Sequence, residues 1–411
     1  MEQFVKDQIT YGLRYLPVNL LKSFFMKRSS PATRILRKQG FICGVCHPSD
    51  DHAQIKGANI GWVRIDIPYP YDEEGNLSRN YLDFKKWART YKDNGIKVMA
   101  VTPYPKIYIA HGADIRTAEG ERKVRQIARF LIRDMQGIAD GFQITNEMGM
   151  PHFTLPLTMD EAVRFIGVNL EEMYPMRGDI LIGYNSILVQ ADLHSRMKPY
   201  YQLCDYVGVD IYVGCFGHMI GFLWFFEAIL RYLWALTGRP IMIQEFGYIS
   251  GGEPKTEEEK NAILRTYGFR DEDEVKANAE AFVERLPEDL RRHTKHVCGN
   301  DPARYYDLLF HSDLVNHLYC ELPKVTRIPG YPHTPECQGK FFRDVLKRVG
   351  RLDFVCGAFV YCYSDSPECY ICGQSDCPVE TKWGLVDCGG SPKPSYYAVR
   401  EAFGALSGKS V

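Results

Sequence analysis

The sequence predicts a closed (β/α)8 barrel, and three observations carry that prediction. From residue 40 onward, short apolar runs bounded by breakers alternate with helical patterns, the signature of a parallel sheet wrapped by helices. No glycine-rich phosphate turn follows the first run, which removes the main argument for an open doubly wound sheet. Two runs, one ending in Asn146-Glu147 and one in Gln244-Glu245, each deliver a carboxylate at a strand's carboxyl end, where barrels build their sites.

Taken in order, the eight expected strands are Phe41–Cys46, Ile60–Ile65, Lys97–Thr102, Gly141–Thr145, Ile180–Tyr184, Tyr206–Tyr212, Ile241–Gln244 and Phe354–Tyr361. Between them the apolar spacing changes to that of helices. Tyr81–Asn94 places Phe84, Trp87, Ala88 and Tyr91 on one face and is stopped by Gly95. Further helices are expected at 120–137, 159–173, 190–203, 220–236, 338–349 and 395–405. The stretch Met219 to Leu236 carries Glu227 and Arg231 and reads as an amphipathic barrel helix. One connection is abnormal: roughly a hundred residues separate Gly247 from the eighth strand, against the few residues usual at such junctions. Within it, 256–292 is charge-rich and helical, 301–318 fits another helix, and a proline-rich stretch runs from Pro329 to Pro335. The expected organisation is therefore an N-terminal helical segment, 1–39, packing on a catalytic barrel, 40–411, with an insertion at 250–335 between strand seven and helix seven.

Composition sets bounds on function. Apolar residues make up 45% of the 411 and aromatics 13%, enough for a folded, enzyme-sized core. Fifty basic and 51 acidic residues nearly cancel, leaving a formal charge of −1 and no basic footprint for nucleic acid. Charges interrupt every apolar stretch of the N-terminus, so neither a signal h-region nor a membrane span fits, and a cytoplasmic location is expected. Leu13, Leu16, Leu20, Leu21 and Phe24 recur near helical spacing beside Lys22, Lys27 and Arg28. This stripe suits packing against the barrel or against a second subunit of a homo-oligomer better than a membrane interface. The 13 cysteines, odd in number, read as thiols rather than disulfides. Cys43-Gly-Val-Cys46-His47 matches a haem-attachment spacing by chance, since it lies inside an expected buried strand. Cys369 and Cys372, with Cys377 and Cys388 downstream, are a better zinc candidate, but the second C-x-x-C pair that such sites favour is absent. No metal and no cofactor is expected.

Two glutamates delivered by strands of the same grammar suggest paired carboxylates in one cleft. These residues resemble those of the large clan of retaining glycoside hydrolases with (β/α)8 barrels and catalytic glutamates on strands four and seven. Further matches are Arg64 in GWVRID, Tyr212 in DYVGVDIYVG, and GAFVYCYSD followed by WGLVDCGGSPKPSYYAVREAF. The resemblance implies Glu147 as general acid/base and Glu245 as nucleophile, with a carbohydrate as partner. It also implies that Asn146 holds the sugar 2-hydroxyl, that Tyr212 hydrogen-bonds the nucleophile, and that Arg64 lies beside it. His47 and Asn185, ending the first and fifth strands, are further sugar-binding candidates. Tyr361 stands where many clan members carry a tryptophan platform, and Trp383 on the following loop is placed to supply the missing aromatic surface.

The expected activity is hydrolysis of terminal sugars from small β-glycosides or oligosaccharides by double displacement. An endo-acting mannanase- or glucanase-like enzyme of the same clan and a catalytically silent sugar-binding barrel are the alternatives. The long excursion after strand seven leaves from the catalytic face and favours a walled pocket, hence exo action.

Overall fold

The computed structural model describes residues 17–26, 35–36, 38–215, 222–252, 256–306, 327–369 and 380–408. Eight parallel strands close into a barrel in sequence order: β1 (Ile42–Cys46), β2 (Trp62–Asp66), β3 (Lys97–Val101), β4 (Gly141–Ile144), β5 (Leu181–Ile187), β6 (Tyr206–Ile211), β7 (Ile241–Phe246) and β8 (Val355–Val360). β8 returns to β1 with Ile42 opposite Gly357 and Gly44 opposite Phe359. The barrel class and all eight strands were thus legible in the sequence, with ends displaced by at most three residues.

Each strand is followed by a helix of the outer ring: α1 (His52–Gly57), α2 (Arg79–Asp93), α3 (Ala118–Asp134), α4 (Met159–Met173), α5 (Ala191–Arg196), α6 (Leu223–Thr237), α7 (Pro335–Val349) and α8 (Pro394–Ser407). The sequence explains where they start. Ser78, Thr117, Thr158 and Thr334 each accept a hydrogen bond from a first-turn N–H, and Thr158 forms a reciprocal capping box with Glu161. α2 buries Tyr81, Phe84, Ala88 and Tyr91, while Trp87 stays half-buried at the rim of that face and donates its indole N–H to Asp50. One helix was expected over 190–203, but α5 ends at Arg196 and a 3-10 turn, Lys198–Leu203, takes over. Pro199 is the cause: it has no N–H to bond the preceding turn, and its ring crowds the carbonyl four residues back.

Two apolar layers result. Strands and helices bury the larger one between them, while a smaller one fills the barrel bore with Ile42, Trp62, Met99, Tyr206, Met242 and Phe359. The bore is packed by pairing large side chains with glycines. A Cβ at Gly44 would lie 2.2 Å from the Phe359 ring, so only glycine admits that ring. Above this plug the inward-facing residues turn polar: Arg64, Gln143, Asn185 and Asp210 are all buried.

The insertion after β7 folds as helices Glu257–Thr266, Glu272–Ala277, Ala279–Arg285 and Glu288–Cys298 around a core of its own, which includes Leu264, Phe269, Val275, Phe282 and Val283. Residues 328–333 pack against the loops that follow β6 and β7. Tyr248, just past β7, accepts from Ile328 N and donates to Tyr331 O (2.5 Å), while His333 sits between the carbonyls of Gly214 and Gly252. Of the helix expected at 301–318, Pro302–Arg304 forms a 3-10 turn and residues beyond 306 lie outside the described part.

At the N-terminus, residues 17–25 are helical. Lys22 Nζ reaches Ala235 O (2.9 Å) and Arg231 stacks on Phe24, so this segment touches α6. Leu21 and Phe24 are exposed, and Leu13, Leu16, Lys27 and Arg28 lie outside the described residues. Among the described residues no helix is long and apolar enough to cross a membrane.

Candidate active site

The polar layer at the carboxyl ends of β1, β2 and β4–β7 is organised by one guanidinium. Arg64, two residues before the end of β2, is 4% exposed. Its Nη1 donates to Glu245 Oε1 (2.6 Å), its Nη2 to Asn146 Oδ1 (2.6 Å) and its Nε to Gln143 Oε1 (2.7 Å). Burial is the largest single influence and opposes a charge here, but Glu245, Cys46, Asp210 and Asp66 together outweigh it, and the guanidinium is held even further above its ordinary range.

Glu245 reaches this position through an irregularity in β7. Side chains on a regular strand alternate faces, yet Gln244 and Glu245 both point inward: Gln244 Nε2 donates to Tyr206 in the bore (3.1 Å) and Glu245 binds Arg64. The pairing register slips there, so that Ile243 lies opposite Val209 while Glu245 lies opposite Asp210, and a second slip faces β8. Such a bulge re-aims side chains beside a site. The second oxygen of Glu245 accepts from the Tyr212 hydroxyl. Burial, then the charge of Glu245, pushes that phenol's pKa well up, which keeps it a donor.

Glu147 comes from a strained turn. β4 stops at Ile144, and the next three residues are Thr145 at φ 53°, Asn146, and Glu147 at φ 43°. A left-handed non-glycine residue costs about 1–2 kcal/mol, and two such residues need support from outside the turn. Thr102 Oγ1 accepts the Thr145 N–H (2.8 Å), and Asn185 Oδ1 accepts the Glu147 N–H (2.8 Å). The result brings Glu147, Glu245 and Asp210 together, with a carboxyl oxygen of each within 4.8 Å of one of each other.

Asn146 accepts at Oδ1 from Arg64, from Gln143 Nε2 (2.9 Å) and from Asn185 Nδ2 (3.0 Å). Three donors on one oxygen fix the amide. Asn185, expected to touch sugar, has a different task. It is 1% exposed, its oxygen holds Glu147, and its Nδ2 serves Asn146 and Asp210. The site rests on it rather than being lined by it.

Aromatic rings close one side. Tyr212 meets Tyr361 and Trp383 edge-on at 5.7 and 5.3 Å between centroids, and Tyr361 in turn meets His47 at 5.3 Å. His47 is exposed at φ 48° just past β1, and Tyr361 is half-buried. Trp383 is 2% exposed and backs the two tyrosines, so the ring surface that remains open belongs to Tyr361 rather than to Trp383. Of the cysteine loop, Cys369 is buried and Cys388 exposed, while Cys372 and Cys377 lie outside the described residues.

Four residues of the site escaped the sequence reading: Gln143, Asp210, Tyr104 and Cys46. Tyr104, just past β3, has its phenol pKa pushed up by burial and then by the charge of Asp66, with Glu245 and Glu147 also near enough to act on it. Cys46, whose thiol is also driven up by burial, lies under Arg64 and donates to Gln244 O (3.3 Å). A signal for Asp210 existed in Asp210-Ile211-Tyr212, where a charge stands two residues before the site tyrosine and so shares its strand face.

No family model matches the sequence, and no curated protein matches it. Solved structures do match. A β-glucuronidase from an uncultured Clostridium species aligns with 89% of this chain and 50% of its own at 15% identity and a TM-score of 0.51. A family 39 glycoside hydrolase from the gut symbiont Bacteroides cellulosilyticus WH2 aligns with 90% and 65%, at 15% identity and a TM-score of 0.50. The likeness is one of fold. The chain spans about half the length of the first of these and just under two thirds of the second.

Proposed function

We propose that this chain is a retaining β-glycosidase in which Glu245 attacks the anomeric carbon and Glu147 is the acid/base. The observation that carries the reading is the approach of the two carboxyl groups, whose oxygens come within 4.8 Å. Retaining enzymes hold their carboxyls about 5–5.5 Å apart, whereas inverting ones leave about 6.5–9.5 Å for a water.

The neighbours of each glutamate suit these roles. Glu245 is gripped at one oxygen by Arg64 and at the other by Tyr212, an arrangement that aims an ionised carboxylate and leaves its remaining lone pairs for attack. Glu147 sits on the strained turn with its backbone fixed by Asn185. As the glycosidic C–O bond breaks, Glu147 gives its proton to the departing oxygen while Glu245 bonds the anomeric carbon. Water then enters, Glu147 takes its proton, and the hydroxyl oxygen displaces Glu245. Asn146 Nδ2 is the donor for the sugar 2-hydroxyl, and Tyr361 with His47 forms the apolar wall against which a sugar ring lies.

Terminal sugars of short β-glycosides are the proposed substrates. The insertion leaves from the carboxyl end of β7, and the strap at 327–334 crosses the loops that follow β6 and β7, so this side of the mouth is built up. A panel of nitrophenyl β-glycosides, covering glucoside, galactoside, mannoside, xyloside and glucuronide, tests the reading. Hydrolysis with the β-anomer of the sugar appearing first supports it. An α-anomer as first product, or turnover unchanged in Glu245→Ala, removes it.

A further inference from the structure

Asp210 is a third carboxyl at the reacting centre, and the two-carboxylate chemistry gives it no part. It is fully buried on β6, in register with Glu245. The groups facing it are Cys46 from β1, Arg64 from β2, Glu147 from the end of β4, Asn185 from β5 and Glu245 from β7, with Tyr212 two residues along its own strand. Arg64 is the one cation among them, and it is already committed to Glu245. Asn185 Nδ2 donates to Asp210 Oδ2 (2.7 Å), while Oδ1 is buried with no donor. An oxygen of the Asp210 carboxyl also lies within 4.8 Å of one of Glu147. Two neighbouring carboxyls can hydrogen-bond to each other only with a proton between them.

We propose that Asp210 and Glu147 form a carboxyl pair sharing a proton, which makes Asp210 a positioning residue for the acid/base. The inference rests on the glycosidase reading for the role of Glu147, while the pair itself follows from the geometry alone. Complete ionisation would set three carboxylates within 4.8 Å of one another against one guanidinium, so the last proton on the pair is held more tightly than on a lone carboxyl. Burial and the charges of Glu245 and Glu147 act the same way on Asp210, pushing its pKa well above the ordinary carboxylate range. Asn185 couples the two halves, since one amide fixes the backbone of Glu147 with its oxygen and Asp210 with its nitrogen. Over a catalytic cycle the pair lends one proton to the leaving oxygen and recovers one from water, and Asp210 has no net change. A cation bridging the three carboxylates is the competing use of this cluster. It is disfavoured because both oxygens of Glu245 already accept hydrogen bonds.

The test compares the full-length wild type with Asp210→Asn and Glu147→Gln by infrared titration of the protonated-carboxyl carbonyl band, and wild type with Asp210→Asn by the pH profile of kcat/KM. In wild type the band should persist well above the ordinary carboxylate range, and each single variant should lose it at a pH lower by about one unit or more. The alkaline limb of the Asp210→Asn profile should move down by a similar amount, because an isosteric amide keeps the shape but not the repelling charge. A merely structural Asp210 would leave that limb in place. The pair is overturned if either variant keeps the band to the wild-type pH, or if elemental analysis finds one metal ion per chain that Asp210→Asn abolishes. Should the wild type cleave no β-glycoside, the functional reading fails while the infrared titration still decides the pair.

Discussion

Replacing Arg64 with methionine examines the centre of the site. Methionine roughly fills the space of the arginine stem but removes three donors. Asn146 Oδ1 would keep its bonds from Gln143 and Asn185 and lose little. Gln143 Oε1 would be left without a donor, at a cost of about 1–3 kcal/mol. The largest loss falls on Glu245, whose carboxylate would remain 7% exposed with Tyr212 as its partner. Breaking a buried pair by removing one member costs about 3–5 kcal/mol. These losses share one side chain and do not add fully, so Arg64→Met should destabilise the protein by at least about 3 kcal/mol in urea unfolding. Glu245→Gln in the same background should restore a large part, because the unpaired charge disappears. The assay is a double-mutant cycle over the two single variants and the pair. A loss below about 1 kcal/mol for Arg64→Met, the range of surface ion pairs, would refute the view that this guanidinium holds the site together.

Other consequences are equally direct. Asp210, with its folded-state pKa raised, keeps a proton that the unfolded chain releases above its ordinary value of 3.8, so it costs stability increasingly as pH rises past that value. Asp210→Asn should therefore stabilise the fold by more than about 1 kcal/mol at pH 7, with the gain fading as pH falls through the ordinary carboxylate range; an equal gain at pH 7 and pH 3 would contradict this. Gly384→Ala would put a Cβ 2.1 Å from Asp365 N and 2.4 Å from Val386 O, both backbone atoms that cannot swing aside. It should cost about 1–3 kcal/mol and displace the loop carrying Trp383, lowering kcat/KM while circular dichroism stays native. Exo action should appear as early release of single terminal sugars from a matched oligosaccharide, and mixed internal fragments would rule it out.

What the sequence disclosed and what it withheld follow from the range of each interaction. Strands and helices are local matters of period and punctuation, and Glu147, Glu245, Arg64, Asn146 and Tyr212 could be found because each stands at or next to the end of such a run. The closed strand order then brings them together without further information. The bulge at Gln244-Glu245 is different, since it is a property of pairing with β6 and β8 and leaves no mark on the run IMIQEF. Asp210 was passed over because a single charge inside an apolar strand does not say whether it meets a cation, another carboxyl or solvent. Asn185 shows the converse: it was read as ending the fifth strand, which in fact runs on to Ile187, and only the surrounding distances reveal that its amide is spent on Glu147, Asn146 and Asp210. Trp383 was sought as an open ring, and packing against Tyr212 and Tyr361 turns it into a support.

The identity of the attacking carboxylate is the claim on which the rest depends, and trapping it covalently tests that claim most directly. Protein incubated with a 2-deoxy-2-fluoro β-glycosyl fluoride of the sugar it cleaves, then digested and analysed by mass spectrometry, should carry one sugar on the peptide that contains Glu245, with loss of activity in step with labelling. A label on Glu147, Asp210 or any other residue, or continued turnover with no label at all, would contradict the account.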